Sequence, residues 1–461
     1  MKKIVISIML TVITAFAGSE KDYKVEFKVD PNQAITIESV SGMNVKVVSW
    51  DNSSVKFDLR VEVSSSDNDY EKEYVENFSV SERRRSSELV LTFNEPEGDG
   101  WSLLDIFRLK FHFYIEKDIK GTIYVPRSNA LTADFKYSEI NLEDITGKLI
   151  LPGRSNELYL RNCSQVYRIE NQYGKTELQN CSGNLELETR SSELRMKNFG
   201  GTVNIDADYN DIWLDEIKGD AKINSRSGNM ELKNIHGNLE VNAPYTDMKI
   251  YNVDGFTDII NRSENILVSN SKGLKVDALY CNMEFIDIID VMKKTVSISG
   301  RSGSINLKNV TGDVVIDDQY SSISLIEVKG DINLSSRSEN ITGRKIRGNM
   351  NFETQYCNIS IDEISASRVK MTNRSGQINL DFITNPVDVY LKNDYGGVSL
   401  DLLPSYEGEY DLSADYGKIN SSIPLRIREH GSSETSMGRI GNKNNKLVVE
   451  TRSDDIVLRT K

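Results

Sequence analysis

Apolar residues fall in short alternating runs along most of the chain, and the runs recur at a fixed interval. One unit reads Met230-Glu231-Leu232, then Ile235, Gly237 and Leu239-Glu240-Val241. Alternation with period two, in short runs bounded by turn residues, predicts β-strands, and Ile235 predicts an inward corner between them. Gly237 is expected to turn the chain at positive φ, where a β-carbon would be costly.

Glycine returns every 18 residues from Gly183 through Gly201, Gly219, Gly237 and Gly255 to Gly273, and the phase resumes at Gly312, Gly330 and Gly348. Such a short unit cannot cover its own apolar face, so copies must stack. The prediction is an all-β chain, a right-handed parallel β-solenoid (β-helix) of about 18 residues per coil, with strands about 4.8 Å apart from coil to coil. A propeller blade would take about 40 residues, which the glycine column excludes.

Three sections follow from this pattern. Residues 127–461 carry the solenoid repeat, with a polar excursion at 424–446, after which "LVVETRSDDIVL" is expected to close the far end. Residues 18–126, as in "ITIESVSGMNVKVVSWDNSSVKFDLRVEV", have longer strands out of phase and read as a β-rich N-terminal cap section over an otherwise bare strand edge. Residues 1–17 read as a signal peptide: Lys2 and Lys3, an apolar run from Ile4 to Thr14, then Ala15-Phe16-Ala17 as cleavage site. That run is short of the roughly 20 apolar residues that span a bilayer, and no later segment is as apolar, so no transmembrane span is expected. The expected location is outside the cytoplasm: periplasm, cell surface or medium.

Between the strands, Tyr and Arg-Ser pairs alternate from coil to coil. Tyr173, Tyr209, Tyr245, Tyr320 and Tyr356 stand four residues after the last inward residue of their strand, whereas Arg190, Arg226, Arg262, Arg337 and Arg374 stand three after it. Tyrosine therefore shares its column with the serine after each arginine, and arginine occupies the column beside it. Alternating large and small side chains lets layers interdigitate. Arginine in every second coil avoids stacked like charges, and each guanidinium is expected near a Tyr ring one coil away. Two readings stay open for this edge: a ladder that sets register, favoured by its great length, or a periodic groove for a repeating glycan.

Cys163 and Cys181 share the inward corner column one coil apart, with Cα atoms expected about 5 Å apart, so either a disulfide or two buried thiols would fit. Cys281 and Cys357 lie four coils apart, about 19 Å, too far to pair, and the same geometry excludes a four-cysteine metal site. Tyr159 and Trp213 face outward and could stack on sugars or belong to a plain solvated face. Trp101 and Phe107, in "GDGWSLLDIFRLKFHFYIEKD", read as contact aromatics for a membrane or partner, or as packing over the first coil.

Charge changes the picture in one respect. Across 461 residues the net charge is −13, which argues against nucleic acid and anionic lipid as partners. His112, His236 and His430 are scattered, and no cluster of acid, base or nucleophile appears on one face of the coils. There is no calcium nonapeptide, phosphate-cradling glycine loop or nucleophile elbow, so neither an enzyme, a metal nor a cofactor is expected.

The segments "ITIESVSGMNVKVVSWDNSSVKF", "RSGNMELKNIHGNLEV" and "LVVETRSDDIVL" resemble the bacterial "putative adhesin" family, an exported β-solenoid family of undefined function, and are similar to autotransporter-adhesin head domains. The resemblance implies a surface-binding protein of the cell envelope, with a glycan or an envelope protein as partner, and supplies no catalytic residues. The alternatives are a structural or stress-associated envelope protein without adhesive ligand, and a polysaccharide-active β-helix enzyme.

Overall fold

A computed structural model describes residues 18–65, 68–95, 115–291 and 293–461. The chain divides into two compact units, Met1–Glu177 and Leu178–Lys461. Residues 1–17, expected to be a signal peptide, lie outside the described residues, as do Trp101 and Phe107.

In the first unit, the strand Ser54–Ser65 pairs antiparallel with Ser19–Lys28 on one side and Ile115–Pro126 on the other. Its alternate residues Phe57, Leu59, Val61 and Val63 are buried, as its period of two predicts. Phe57 meets Phe93 edge-on at 5.3 Å, and Phe78 meets Tyr23 at 5.2 Å, so aromatic rings fill this part of the core. A helix, Asn68–Asn77, closes over it with Tyr74 and Val75 buried. Its buried Glu71 accepts the Ser65 amide at 2.6 Å.

The section 18–126 also contains a coil of its own. Ala34–Ser41 pairs parallel with both Glu88–Asn94 and Leu131–Lys136, and Met43–Trp50 pairs parallel with both Ile115–Pro126 and Glu139–Glu143. Leu131 then pairs with Leu149 and Glu139 with Glu157, which starts the 18-residue step.

In the second unit the step is regular. Val203 pairs with Ala221, Ala221 with Leu239 and Leu239 with Thr257, all parallel. Triplet residues such as Met230, Leu232, Leu239 and Val241, and corner residues such as Phe199, Ile217 and Ile235, are buried. The step stretches where Val276 pairs with Ile298, because the insertion after Ile289 leaves the sheet, and it returns to 18 at Val296 and Val314.

The far end departs from expectation. Lys446–Thr451 pairs parallel with Asp388–Tyr395 on one side and with Gly408–Ala414 on the other. Ile456–Thr460 likewise lies between Val398–Leu402 and Ile419–Ser421. The coil "LVVETRSDDIVL" is therefore interposed between two earlier coils and does not close the end. That work falls to the polar excursion, whose strands Ile427–His430 and Ser433–Ile440 form an antiparallel hairpin against the free edge of Gly408–Ala414. An antiparallel hairpin suits the task, since a bare parallel edge is a template for unwanted pairing.

Candidate functional site

The candidate edge is the turn between the two strands of a coil. In the early coils its central residue is left-handed: Tyr137, Ser155, Tyr173, Ser191, Tyr209 and Tyr245 have φ from 52° to 65°. A β-carbon there costs about 1 kcal/mol or more, so something must hold the turn. The holder is a buried asparagine. Asn171 receives the Asn156 amide at 3.0 Å and donates to Asn156 O at 2.9 Å and Lys175 O at 3.1 Å. Asn261 accepts from the Tyr245 and Arg262 amides at 3.2 and 2.7 Å and donates to Thr246 O at 2.9 Å. Asn373 donates to Cys357 O and Ser375 O at 2.9 and 2.8 Å. These side chains satisfy turn amides and carbonyls that would otherwise be buried without partners.

On this support, Tyr and Ser share one column. Ser263 pairs with Tyr280, Tyr280 with Ser302, Ser302 with Tyr320, Ser338 with Tyr356 and Ser375 with Tyr395. Arginine stands one residue aside, as Arg190 opposite Asp208. Guanidinium carbons lie over Tyr rings: Arg154 over Tyr173 at 5.5 Å, Arg374 over Tyr356 at 5.7 Å and Arg337 over Tyr320 at 6.0 Å. Tyr209 receives Arg190 and Arg226 from its two flanking coils at 5.8 and 6.0 Å. Each such contact contributes about 0.5–1 kcal/mol at an exposed site. Arg262 and Tyr245 lie in the same file and make no such contact among the described residues.

The interposed coil reveals what the alternation obeys. Along the chain, Tyr395 and Tyr416 occupy successive coils, which breaks the rule. In space, Thr451 pairs with both Asn393 and Ala414, so Ser453 falls between Tyr395 and Tyr416. Arg452 then lies over Tyr395 at 6.0 Å. The alternation of Tyr with Arg-Ser is thus a rule of stacking in three dimensions and not of chain order.

The remaining candidates are distributed. Tyr159, in the first unit, has Lys175 Nζ over its ring at 5.3 Å and donates to Glu157 Oε2 at 3.1 Å. Burial, and then Glu157, push its pKa up. Trp213, in the second unit, stands between Arg195 and Glu231 beside a shallow depression of about 470 Å³ that includes Asp211, Asp247 and Lys249. Cys163 in the first unit and Cys181 in the second are both buried, each Sγ 3.4 Å from a carbonyl oxygen two residues back. Cys281 and Cys357 sit under the Tyr turn, and burial pushes the Cys281 thiol up to about 11. At the opposite corner, His236 is held by Asp254 of the next coil at 2.8 Å and by Glu216 of the previous coil at 3.1 Å. The hydrogen bond to Asp254, and then that to Glu216, raise its pKa. No group of three or more His, Cys, Asp or Glu that could hold a metal occurs among the described residues, and none of their helices is long and apolar enough to cross a membrane.

One column went unread in the sequence. The residue before each inward corner is left-handed, and it is most often asparagine: Asn162, Asn180, Asn198, Asn234, Asn252, Asn270 and Asn309 have φ from 52° to 59°. Their amides form a ladder between coils, with Asn252 donating to Asn234 and Asn270 to Asn252, both at 2.9 Å. Asparagine tolerates this conformation better than other residues with a β-carbon. The 18-residue recurrence of Asn ahead of the corner was the available signal. Gly237, expected to be the left-handed residue, is not among the positive-φ residues. Its hydrogen serves close approach instead, since a β-carbon would lie 2.6 Å from the Asp220 amide nitrogen of the coil below.

The family model described as Toastrack DUF4097 matches residues 24–278 and 283–459. No curated protein matches the chain. Among solved structures, the chain is similar to a putative cell adhesion protein from Clostridium sporogenes at 9% identity, covering 96% of this chain and 100% of that one, with a TM-score of 0.15. A likeness at that level weighs on neither fold nor function.

Proposed function

The chain belongs to the Toastrack DUF4097 family, and on that premise we propose that it is an exported, non-enzymatic β-solenoid that binds a partner at the bacterial cell envelope, as an adhesin or surface-binding protein. Export rests on the charged, apolar and small-residue order of residues 1–17. Binding rests on one observation above others: the file of half-exposed tyrosines flanked by exposed arginines. In the second unit, Tyr209, Tyr320 and Tyr356 are 40–47% exposed. Rings left half in water with a cation over one face suit contact with a second molecule, because Tyr presents large rigid area at little entropic cost and Arg supplies directional donors. The proposal assigns the edge no turnover.

The buried asparagines and the ladder of Asn amides favour a second reading, a structural envelope protein whose edge serves register alone. Fractionation of expressing cells, followed by a glycan array and a polysaccharide turnover assay on the protein from residue 18 onward, separates these. Recovery in the envelope or medium with saturable binding and no turnover is expected. Cytoplasmic recovery would end the export claim, absence of any binding would leave the structural reading, and turnover abolished by one carboxylate substitution would restore the enzyme.

A further inference from the structure

We propose that the part of the edge between Tyr280 and Tyr395, in the second unit, binds a linear acidic polysaccharide with one carboxylate per disaccharide, laid across the strands along the stack of coils. The proposal rests on the binding reading above and names its ligand.

Three observations converge. The first is spacing. Tyr280, Tyr320, Tyr356 and Tyr395 are 40–54% exposed and recur every second coil, about 10 Å apart at twice the strand spacing. A disaccharide of β-linked pyranoses is about as long as that interval, so one repeat of an extended chain can keep step with the file. Sugar rings stack on aromatic faces, and a tyrosine free on one side offers such a face.

The second is charge. Arg301, Arg337 and Arg374 are exposed and stand in the coils between those tyrosines. Among the described residues none of the three forms an ion pair, and Arg337 Nη1 donates to Tyr320 Oη at 3.2 Å. Elsewhere on this acidic chain exposed lysines are matched coil to coil: Lys222 with Glu240, Lys272 with Asp254 and Lys345 with Glu327. The edge thus keeps unneutralised guanidinium groups on a chain of net charge −13. A guanidinium presents a planar fork that fits a carboxylate, whereas a neutral sugar would leave its charge unmet. Two acidic side chains accompany the three arginines: Glu339, exposed on the Arg337 turn, and half-exposed Asp394, opposite Arg374 in the next coil.

The third is the face beside the file. Two outward columns, one from Ser304 to Gln377 and one from Asn306 to Asn379, hold only Ser, Thr, Asn and Gln across five coils. In earlier coils the same columns hold Glu193, Arg195, Asp211, Glu231, Asp247 and Lys249. In a chain with 27% charged residues, this uncharged stretch is unlike the rest of the surface. It offers hydroxyls and amides that donate to and accept from sugar hydroxyls, with no charge of its own to repel an anion. The arginines then supply the charge recognition and the tyrosines the stacking.

The test is calorimetric titration of the full described chain, from residue 18 onward, with hyaluronan and heparosan decasaccharides, which carry one carboxylate per disaccharide, and with their carboxyl-reduced forms. At least one acidic decasaccharide is expected to bind, more weakly at higher salt, and at least about tenfold better than its reduced form. Arg337→Gln with Arg374→Gln should erase that preference while leaving affinity for the reduced form unchanged. Tyr320→Ser with Tyr356→Ser should weaken both forms. The matched pair Lys222→Gln with Lys272→Gln removes as much charge away from the tyrosine edge and should leave binding as it was. Equal losses in the arginine pair and the lysine pair would overturn the proposal, as would an unchanged acidic preference in R337Q/R374Q. Failure of both acidic decasaccharides in a protein that still binds envelope material would overturn this ligand and leave the binding reading standing. Failure to bind either would remove both.

Discussion

At the scale of single residues, the coil is governed by left-handed positions and by what bonds to them. Asn252, with φ 59°, donates to Asn234 and accepts from Asn270. Asn252→Ala removes both bonds and strains the backbone, and a loss of about 1–3 kcal/mol is expected in the free energy of chemical unfolding. Asn252→Gly removes the same bonds and relieves the backbone, so its loss should be smaller. Equal losses would mean that conformation has no part in the choice of asparagine. His236 gives a pH dependence. Its pKa is raised in the folded state, first by Asp254, so its contribution is complete below the ordinary histidine value near 6.5 and is lost as pH rises through the higher folded value. The Asp254 pKa is lowered, first by Lys272, so its contribution is present above the ordinary value near 4 and is lost as pH falls through the lower folded value. Both act fully between about pH 4 and 6.5. These groups are exposed and the effect is small, under about 1 kcal/mol. The thermal midpoint should decline slightly from pH 6 to pH 8, and His236→Gln should flatten that decline.

At the scale of the element, much was legible. Short alternating runs specify the strands, the isolated apolar residue specifies the corner, and constant offsets along the sequence separate the Tyr column from the Arg column. The conformation of the turns was legible only in part: Gly183, Gly201, Gly273, Gly312, Gly330 and Gly348 of the glycine column have positive φ, but close approach selects glycine as well. Gly237 illustrates the second cause, and its neighbour Asn234 takes the left-handed residue that glycine was expected to supply. The helix Asn68–Asn77 escaped notice because ten residues with few apolar positions give a weak helical period. Burial under the Tyr turn also has a chemical consequence. Cys281 and Cys357 are 1% and 0% exposed, and burial raises both thiol pKa values. Both should react with a thiol reagent far more slowly in native protein than in protein unfolded at the same pH, as read by mass spectrometry, since the thiolate is the reactive species. Native reaction at the unfolded rate would contradict their placement.

At the scale of the molecule, chain order and stacking order part company. Ala34–Trp50 lies between strands that follow it in sequence, whereas Lys446–Thr460 lies between strands that precede it. Alternation within a run cannot disclose this, because an apolar-polar-apolar triplet fits any layer equally well. The clue lay in the column itself: two successive Tyr coils, Tyr395 and Tyr416, need an Arg-Ser coil between them, and Arg452-Ser453 is that coil. Leu447, Val449, Ile456 and Leu458 are buried in it, each worth about 1.5–3 kcal/mol relative to exposure. A chain stopped before Lys446 should lose protection from hydrogen exchange throughout 403–440 and retain it in the coils up to Leu380. Protection retained in Gly408–Ala414 would show that the interposed coil is dispensable.

On the proposed function the tyrosine edge binds a second molecule, beyond setting register. Its most direct test replaces Tyr280, Tyr320, Tyr356 and Tyr395 with serine in one protein and measures thermal unfolding and acidic-polysaccharide titration on the same sample. Because the rings are half exposed and the buried asparagines remain, a single cooperative transition with a modestly lower midpoint is predicted, together with loss of binding. Binding at wild-type affinity in that folded protein would contradict the claim and leave the edge as scaffolding.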